Sequence, residues 1–348
     1  MKVNHFSILV AALTLAINGG MCSPITTQTS PNSEVISYNR FDLMIQDLQM
    51  AVHNLFFKEN PTSRTDTTSS PLVLDVNYNK YNVGDEPDVL VDYGAPFTGC
   101  FGMFRDAKDC QSEKPNDSVV SEDPTNPSNR VMSIKFAGGV YGTDAPNTGG
   151  QFYSNTLQNL DGLREATLEY SVYFPEDFDF KMGGKLPGMH GGPELECSGG
   201  TNADGSNCFS TRLMWREDGE GEAYLYIPMD YQTEELCAQC AYPEMVSGCK
   251  DVAHCSLDRG AFTFSKGKWN TVKQYIRLNT VGSNDGFFKL YHNNNLVMNQ
   301  ELVYRTSDKV GINGFFFSTF FGGSSQEYAP KDDQVSMFKN IRLYAGEA

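Results

Sequence analysis

From residue 70 to the C-terminus, apolar and polar residues alternate with a period of two. In EATLEYSVYF (165–174), Ala166, Leu168, Tyr170, Val172 and Phe174 fall on one face, and Thr167, Glu169 and Ser171 fall on the other. Successive side chains of an extended chain point to opposite sides, so this is the pattern of a strand that buries one face. VMSIKF (131–136), FSTRLMW (209–215), EAYLYIP (222–228), TVKQYIRLN (271–279), FFKLYH (287–292), GFFFSTFF (314–321) and VSMFKNIRLY (335–344) read the same way, with Gly, Asn and Asp between them. Many short antiparallel strands without an internal repeat predict an all-β fold, a jelly-roll β-sandwich over residues 70–348. A chain of about 280 residues is long enough for one such domain with a large core.

The N-terminal part departs from this period. Residues 37–60 place Phe41, Met44, Ile45, Leu48, Val52, Leu55 and Phe56 at helical spacing, ending at Asn60-Pro61 before the polar stretch TSRTDTTSS. This predicts one amphipathic helix and a Ser/Thr-rich linker within 23–69. The first 22 residues have a basic start at Lys2, an apolar run from Phe6 to Ile17 and small residues before Ser23. That is the pattern of a secretory signal peptide, so a secreted, extracellular protein is expected. No later run reaches the length of about 18 apolar residues that a membrane span needs.

Secretion changes the reading of the cysteines. Beyond the leader there are Cys100, Cys110, Cys197, Cys208, Cys237, Cys240, Cys249 and Cys255. An even set in an exported chain predicts disulfides, with Cys100–Cys110 and Cys197–Cys208 as local candidates. The Cys237-x-x-Cys240 spacing followed by Cys249 and Cys255 also suits zinc, but an oxidising compartment and the lack of a clear His pair argue against a metal. Asn116-Asp117-Ser118 is a glycosylation acceptor pattern and marks an exposed loop. The formal charge of −16 excludes nucleic acid as the expected partner. An anionic polymer still fits if basic side chains gather in one cleft, because local potential decides.

The candidate chemistry begins at KMGGKLPGMHGG (181–192), with five glycines and a proline around Lys185. Such a run reads as a loop that turns tightly or lies close to something bulky. Further on, Ser210 and Arg212 share one strand face, as do Tyr224 and Tyr226, and the short connection predicts that the two strands pair. Lysine, arginine and two tyrosines suit β-elimination on a uronic acid polymer. A cation neutralises the carboxylate beside C5, and tyrosine acts as base or as acid toward the leaving O4. Lys273, Tyr275 and Arg277 share a face opposite Val272, Ile276 and Leu278, and are expected to extend a basic, aromatic groove for substrate. An ordinary solvated sheet face reads the same way.

GGKLPG at 183–188, the Ser210-x-Arg212 pair, the Tyr224-x-Tyr226 pair and NGFFFSTFFGG at 313–323 together resemble polysaccharide lyase family 14, the alginate and glucuronan lyases, and more distantly the family 20 glucuronan lyases. The resemblance covers residues 70–348. It implies a jelly roll with an open cleft, endolytic β-elimination and no obligatory cofactor, with the family's roles falling on Lys185, Ser210, Arg212, Tyr224 and Tyr226. His190 departs from the apolar or aromatic residue expected there, and is a candidate substrate contact or extra proton carrier. The cysteine-rich stretch 197–255 is more elaborate than the family's. A monomer acting on an anionic polysaccharide is expected. Two other classes remain open: a non-catalytic carbohydrate-binding jelly roll, and a glycoside hydrolase using Glu194 and Glu196, or Glu217, Glu220 and Glu222.

Overall fold

The computed structural model describes residues 70–88, 92–93, 117–143, 148–158, 160, 162–194, 197–240 and 252–348. The expected leader, the helix over 37–60, Asn116, Cys100, Cys110 and Cys249 lie outside the described residues.

The alternating segments form strands: β1 (Leu72–Asp75), β2 (Ser118–Asp123), β3 (Asn126–Phe136), β4 (Gly149–Tyr153), β5 (Glu165–Tyr173), β6 (Gly183–Leu186), β7 (Gly188–Gly191), β8 (Phe209–Arg216), β9 (Glu220–Tyr226), β10 (Cys255–Thr263), β11 (Trp269–Arg277), β12 (Gly286–His292), β13 (Asn295–Leu302), β14 (Ile312–Phe320) and β15 (Gln334–Tyr344). They make two antiparallel sheets. One has the order β13-β12-β11-β5-β15-β3-β2 with β1 beside β15, and the other β10-β9-β8-β7-β14-β4 with β6 beside β8. The late strands β14 and β15 sit inside the sheets next to early ones, as the Greek-key crossings of a jelly roll require.

The inward faces meet in one core. Leu168, Tyr170, Val172, Val272 and Ile276 from the first sheet, and Leu213, Trp215, Leu225, Phe315 and Phe317 from the second, are all fully buried. Burial of each such side chain contributes on the order of 1.5–3 kcal/mol. Polar links cross this core at Pro187, whose carbonyl accepts from the Tyr170 hydroxyl at 3.2 Å. Gln274 is buried, accepts from the Thr211 hydroxyl at 3.1 Å and donates to the Pro187 carbonyl at 3.2 Å, so its amide is satisfied from the opposite sheet.

The segment 181–192 is not the loop that its glycines suggest, for it contains β6 and β7, joined at Pro187. The glycines are there for protein packing. A Cβ on Gly188 would lie 2.1 Å from the Thr211 carbonyl oxygen, and one on Gly184 would lie 2.0 Å from the Trp215 ring. Neighbouring backbone and a buried indole are the bulky groups that these two glycines admit. Close strand packing therefore explains these two positions.

Candidate active site

Strand alternation divides β8 between two environments. Phe209, Thr211, Leu213 and Trp215 face the core, which turns Ser210, Arg212 and Met214 to the outer face of the second sheet. Pairing then assembles the site. Arg212 is opposite Tyr224 and Ser210 opposite Tyr226 across β8 and β9, while Lys185 on β6 is opposite Met214 on β8. The expected pairing of the Ser-x-Arg and Tyr-x-Tyr strands is therefore observed, and it carries Lys185 to the same surface.

Lys185 Nζ lies 4.1 Å from the centroid of the Tyr224 ring and donates to Met214 Sδ at 3.1 Å. The Arg212 guanidinium carbon is 5.6 Å from the Tyr224 ring, 5.8 Å from the Tyr226 ring and 4.7 Å from the Phe316 ring. Arg212 Nη1 donates to Ser318 Oγ at 3.2 Å, and that hydroxyl donates to Gln151 Oε1 at 3.0 Å, so a side-chain relay from β14 and β4 orients the guanidinium. The Tyr226 hydroxyl accepts the Gly200 N–H at 3.1 Å. Lys185, Arg212, Tyr224 and Tyr226 line a cleft of about 1090 Å³, an ample size for a segment of polymer.

Two disulfides flank the walls of this cleft. Cys197–Cys208 closes the loop that supplies Ser198–Gly200, and Cys240–Cys255 ends beside Val252–His254. Cys237 is disulfide-bonded as well, so three of the four cysteines with zinc-like spacing are oxidised. Among the described residues no group of three or more His, Cys, Asp or Glu is placed to hold a metal.

Electrostatics set the cleft apart from the acidic whole. Burial, and then the positive charges of Arg212 and Arg216, hold the Lys185 ammonium well below the ordinary lysine value. Glu222 is fully buried and accepts from Arg216, from Arg259 Nε at 2.7 Å and from the Ser256 hydroxyl at 2.9 Å. Burial works against ionisation there, but the two arginines prevail and hold its carboxyl below the usual range. A carboxylate tied in this way is not poised as the acid of a hydrolase pair.

The structure brings together four of the predicted site residues and leaves five elsewhere. Ser210 is buried and donates to the Cys197 carbonyl at 2.7 Å, so it braces the disulfide loop and does not line the cleft. His190 is sealed beneath Tyr153 at 5.0 Å between ring centres, and its Nε2 pairs with the Ser154 carbonyl at 3.1 Å. Burial pushes its pKa down to about 4, and it too is absent from the cleft wall. The expectation for Lys273, Tyr275 and Arg277 is corrected: β11 belongs to the other sheet, with Val272 and Ile276 turned to the core. There Lys273 donates to the Ala348 carbonyl, Tyr275 lies under Lys289, and Arg277 donates to the Asp285 carbonyl. His254, Gln151 and Phe320 line the cleft without having been singled out from the sequence. Phe320 lies within NGFFFSTFFGG and His254 stands beside Cys255, whereas nothing in the pattern around Gln151 marks it.

A jelly roll that gathers a lysine, an arginine and a tyrosine pair in one open cleft defines a lyase acting on polysaccharides. Residues 124–341 match the family Polysaccharide lyase 14, and the chain belongs to that family. It is similar to the crystal structure of a marine family 14 alginate lyase from Aplysia kurodai, with 30% identity, a TM-score of 0.64, and coverage of 79% of this chain and 100% of that one. An alginate lyase from Chlorella virus shares the fold at 20% identity and a TM-score of 0.58, covering 79% of this chain and 100% of that one. The Exolysin of Paramecium bursaria Chlorella virus 1 is 24% identical over 219 residues, 57% of this chain and 32% of that protein, so this chain spans about a third of that relative's length.

Proposed function

We propose that the protein is a secreted lyase that cleaves a β-1,4-linked polyuronate, alginate or glucuronan, by β-elimination. The observation that carries this reading is the convergence of Lys185, Arg212, Tyr224 and Tyr226 on one cleft. Arg212 supplies a fixed positive charge for the carboxylate beside C5, which makes the C5 proton more acidic. One tyrosine takes that proton, the electron pair forms the C4–C5 double bond, the C4–O4 bond breaks, and a tyrosine hydroxyl returns a proton to O4. The hydrogen bond from the Gly200 N–H fixes the Tyr226 oxygen in the cleft wall, and makes Tyr226 the stronger candidate. A lysine held below its ordinary value adds charge or takes up a proton as substrate arrives. The expected leader supports export, as does the presence of disulfides, and among the described residues no helix is long and apolar enough to cross a membrane.

The test is a panel of alginate, its mannuronate and guluronate blocks, and glucuronan, read by the ultraviolet absorbance of the unsaturated product. At least one polymer is expected to be cut, with and without a chelator. New reducing ends without absorbance would mean hydrolysis, and inactivity on the whole panel would remove the proposal.

A further inference from the structure

His254 stands immediately before β10, whose first residue, Cys255, pairs with Leu225 of β9 and is bonded to Cys240. The main chain at this point is therefore fixed by a strand ladder and a disulfide together. From there the imidazole reaches over the outer face of β9. Its ring centre is 4.4 Å from that of Tyr224, tilted by 47°, and 5.4 Å from that of Tyr226, nearly parallel at 22°. The two tyrosine rings meet each other edge-on at 5.7 Å. The histidine thus packs against both of them in the cleft wall.

We propose that His254 is a positioning residue for the elimination, whose ring holds Tyr224 and Tyr226 in the orientation that presents their hydroxyls to substrate. The inference rests on the lyase reading of this cleft. Its physical basis is the precision that proton transfer demands. A tyrosine hydroxyl sits at the end of a long lever, and a shift of about 1 Å at the reacting atoms can lower turnover by a factor on the order of a hundred. Tyr226 is held at its oxygen by Gly200 and at its face by His254. Tyr224 is held by Lys185 and His254.

Burial and the surrounding charge disfavour a protonated ring. Lys185 from β6 and Arg212 and Arg216 from β8 face it, against Glu222 of β9, while Tyr224 and Tyr226 add no charge in their phenolic forms. Burial first, and then those cations, push its pKa down to about 4. A protonated imidazole would be a further cation among them.

The experiment compares kcat and KM of the disulfide-intact enzyme, His254→Ala and His254→Phe on the polyuronate that the wild type cuts. His254→Ala is expected to lower kcat by about 10- to 100-fold, with KM changed by less than about threefold. His254→Phe restores the flat ring and is expected to recover kcat to within about threefold. It should also lack the His254 ionisation expected near pH 4 in the wild type. Melting temperatures of both variants check that the sandwich is intact, and His254→Phe keeps the test informative if the alanine variant is unstable. Wild-type kcat in His254→Ala would overturn the inference, as would a change confined to KM or a phenylalanine variant as poor as alanine. A wild type inactive on every polyuronate would instead overturn the lyase reading, and this inference with it.

Discussion

Acidification should weaken the fold through His190, and the size of the effect follows from its burial. The ring is 1% exposed, and its Nε2 donates to the Ser154 carbonyl. Its pKa is lowered from 6.5 to about 4, chiefly by burial. The unfolded chain accepts a proton near pH 6.5 and the folded one only near pH 4, so between those values the unfolded state binds more protons and stability falls as pH falls. One pKa unit corresponds to about 1.4 kcal/mol, so lowering the pH from about 7.5 to about 4.5 should remove about 2.5 kcal/mol through this side chain. His190→Gln keeps an N–H for the Ser154 carbonyl and removes the titration, while giving up the ring contact with Tyr153, for about 1 kcal/mol at neutral pH. The assay is equilibrium urea unfolding at the two pH values, followed by fluorescence of the fully buried Trp215. His254 and His292 are also shifted downward, so the wild type will show their contributions too, and the difference between wild type and variant isolates His190. The variant should lose about 2.5 kcal/mol less on acidification and keep its turnover at neutral pH. Equal losses in both proteins would refute the burial argument. A collapse of neutral turnover in a folded variant would return His190 to the proton path.

Lys185→Ala and Tyr226→Phe should each lower turnover by about a hundredfold or more, with Tyr224→Phe as the paired control, and near-normal rates in both phenylalanine variants would take tyrosine out of the proton path. Glu222→Gln leaves Arg216 and Arg259 without their buried counter-charge and should cost about 3–5 kcal/mol in the same unfolding assay; a change below about 1 kcal/mol would show that solvent already reaches the network.

Much of this architecture is legible in one dimension because strand alternation is a local property. The eight segments with a period of two all form strands, and Ser210 shares a face with Arg212, as Tyr224 does with Tyr226, because residues two apart on a strand must do so; the β8–β9 register then sets the two pairs side by side. The same rule put Lys273, Tyr275 and Arg277 on one face, and that much is correct. Alternation does not say which sheet a strand joins, and the pairing of β11 with β5 and β12 carried that face away from the cleft. The glycines of 181–192 show the same limit. A missing Cβ signals close approach, but whether a sugar, a neighbouring backbone or the Trp215 indole approaches is decided by strands distant in sequence. His254 reached the tyrosines through the β10–β9 ladder and a disulfide to Cys240, contacts that no spacing encodes. Residue type and local period fixed the chemistry available, whereas long-range pairing, which depends on the packing of the whole core, chose the side chains that meet.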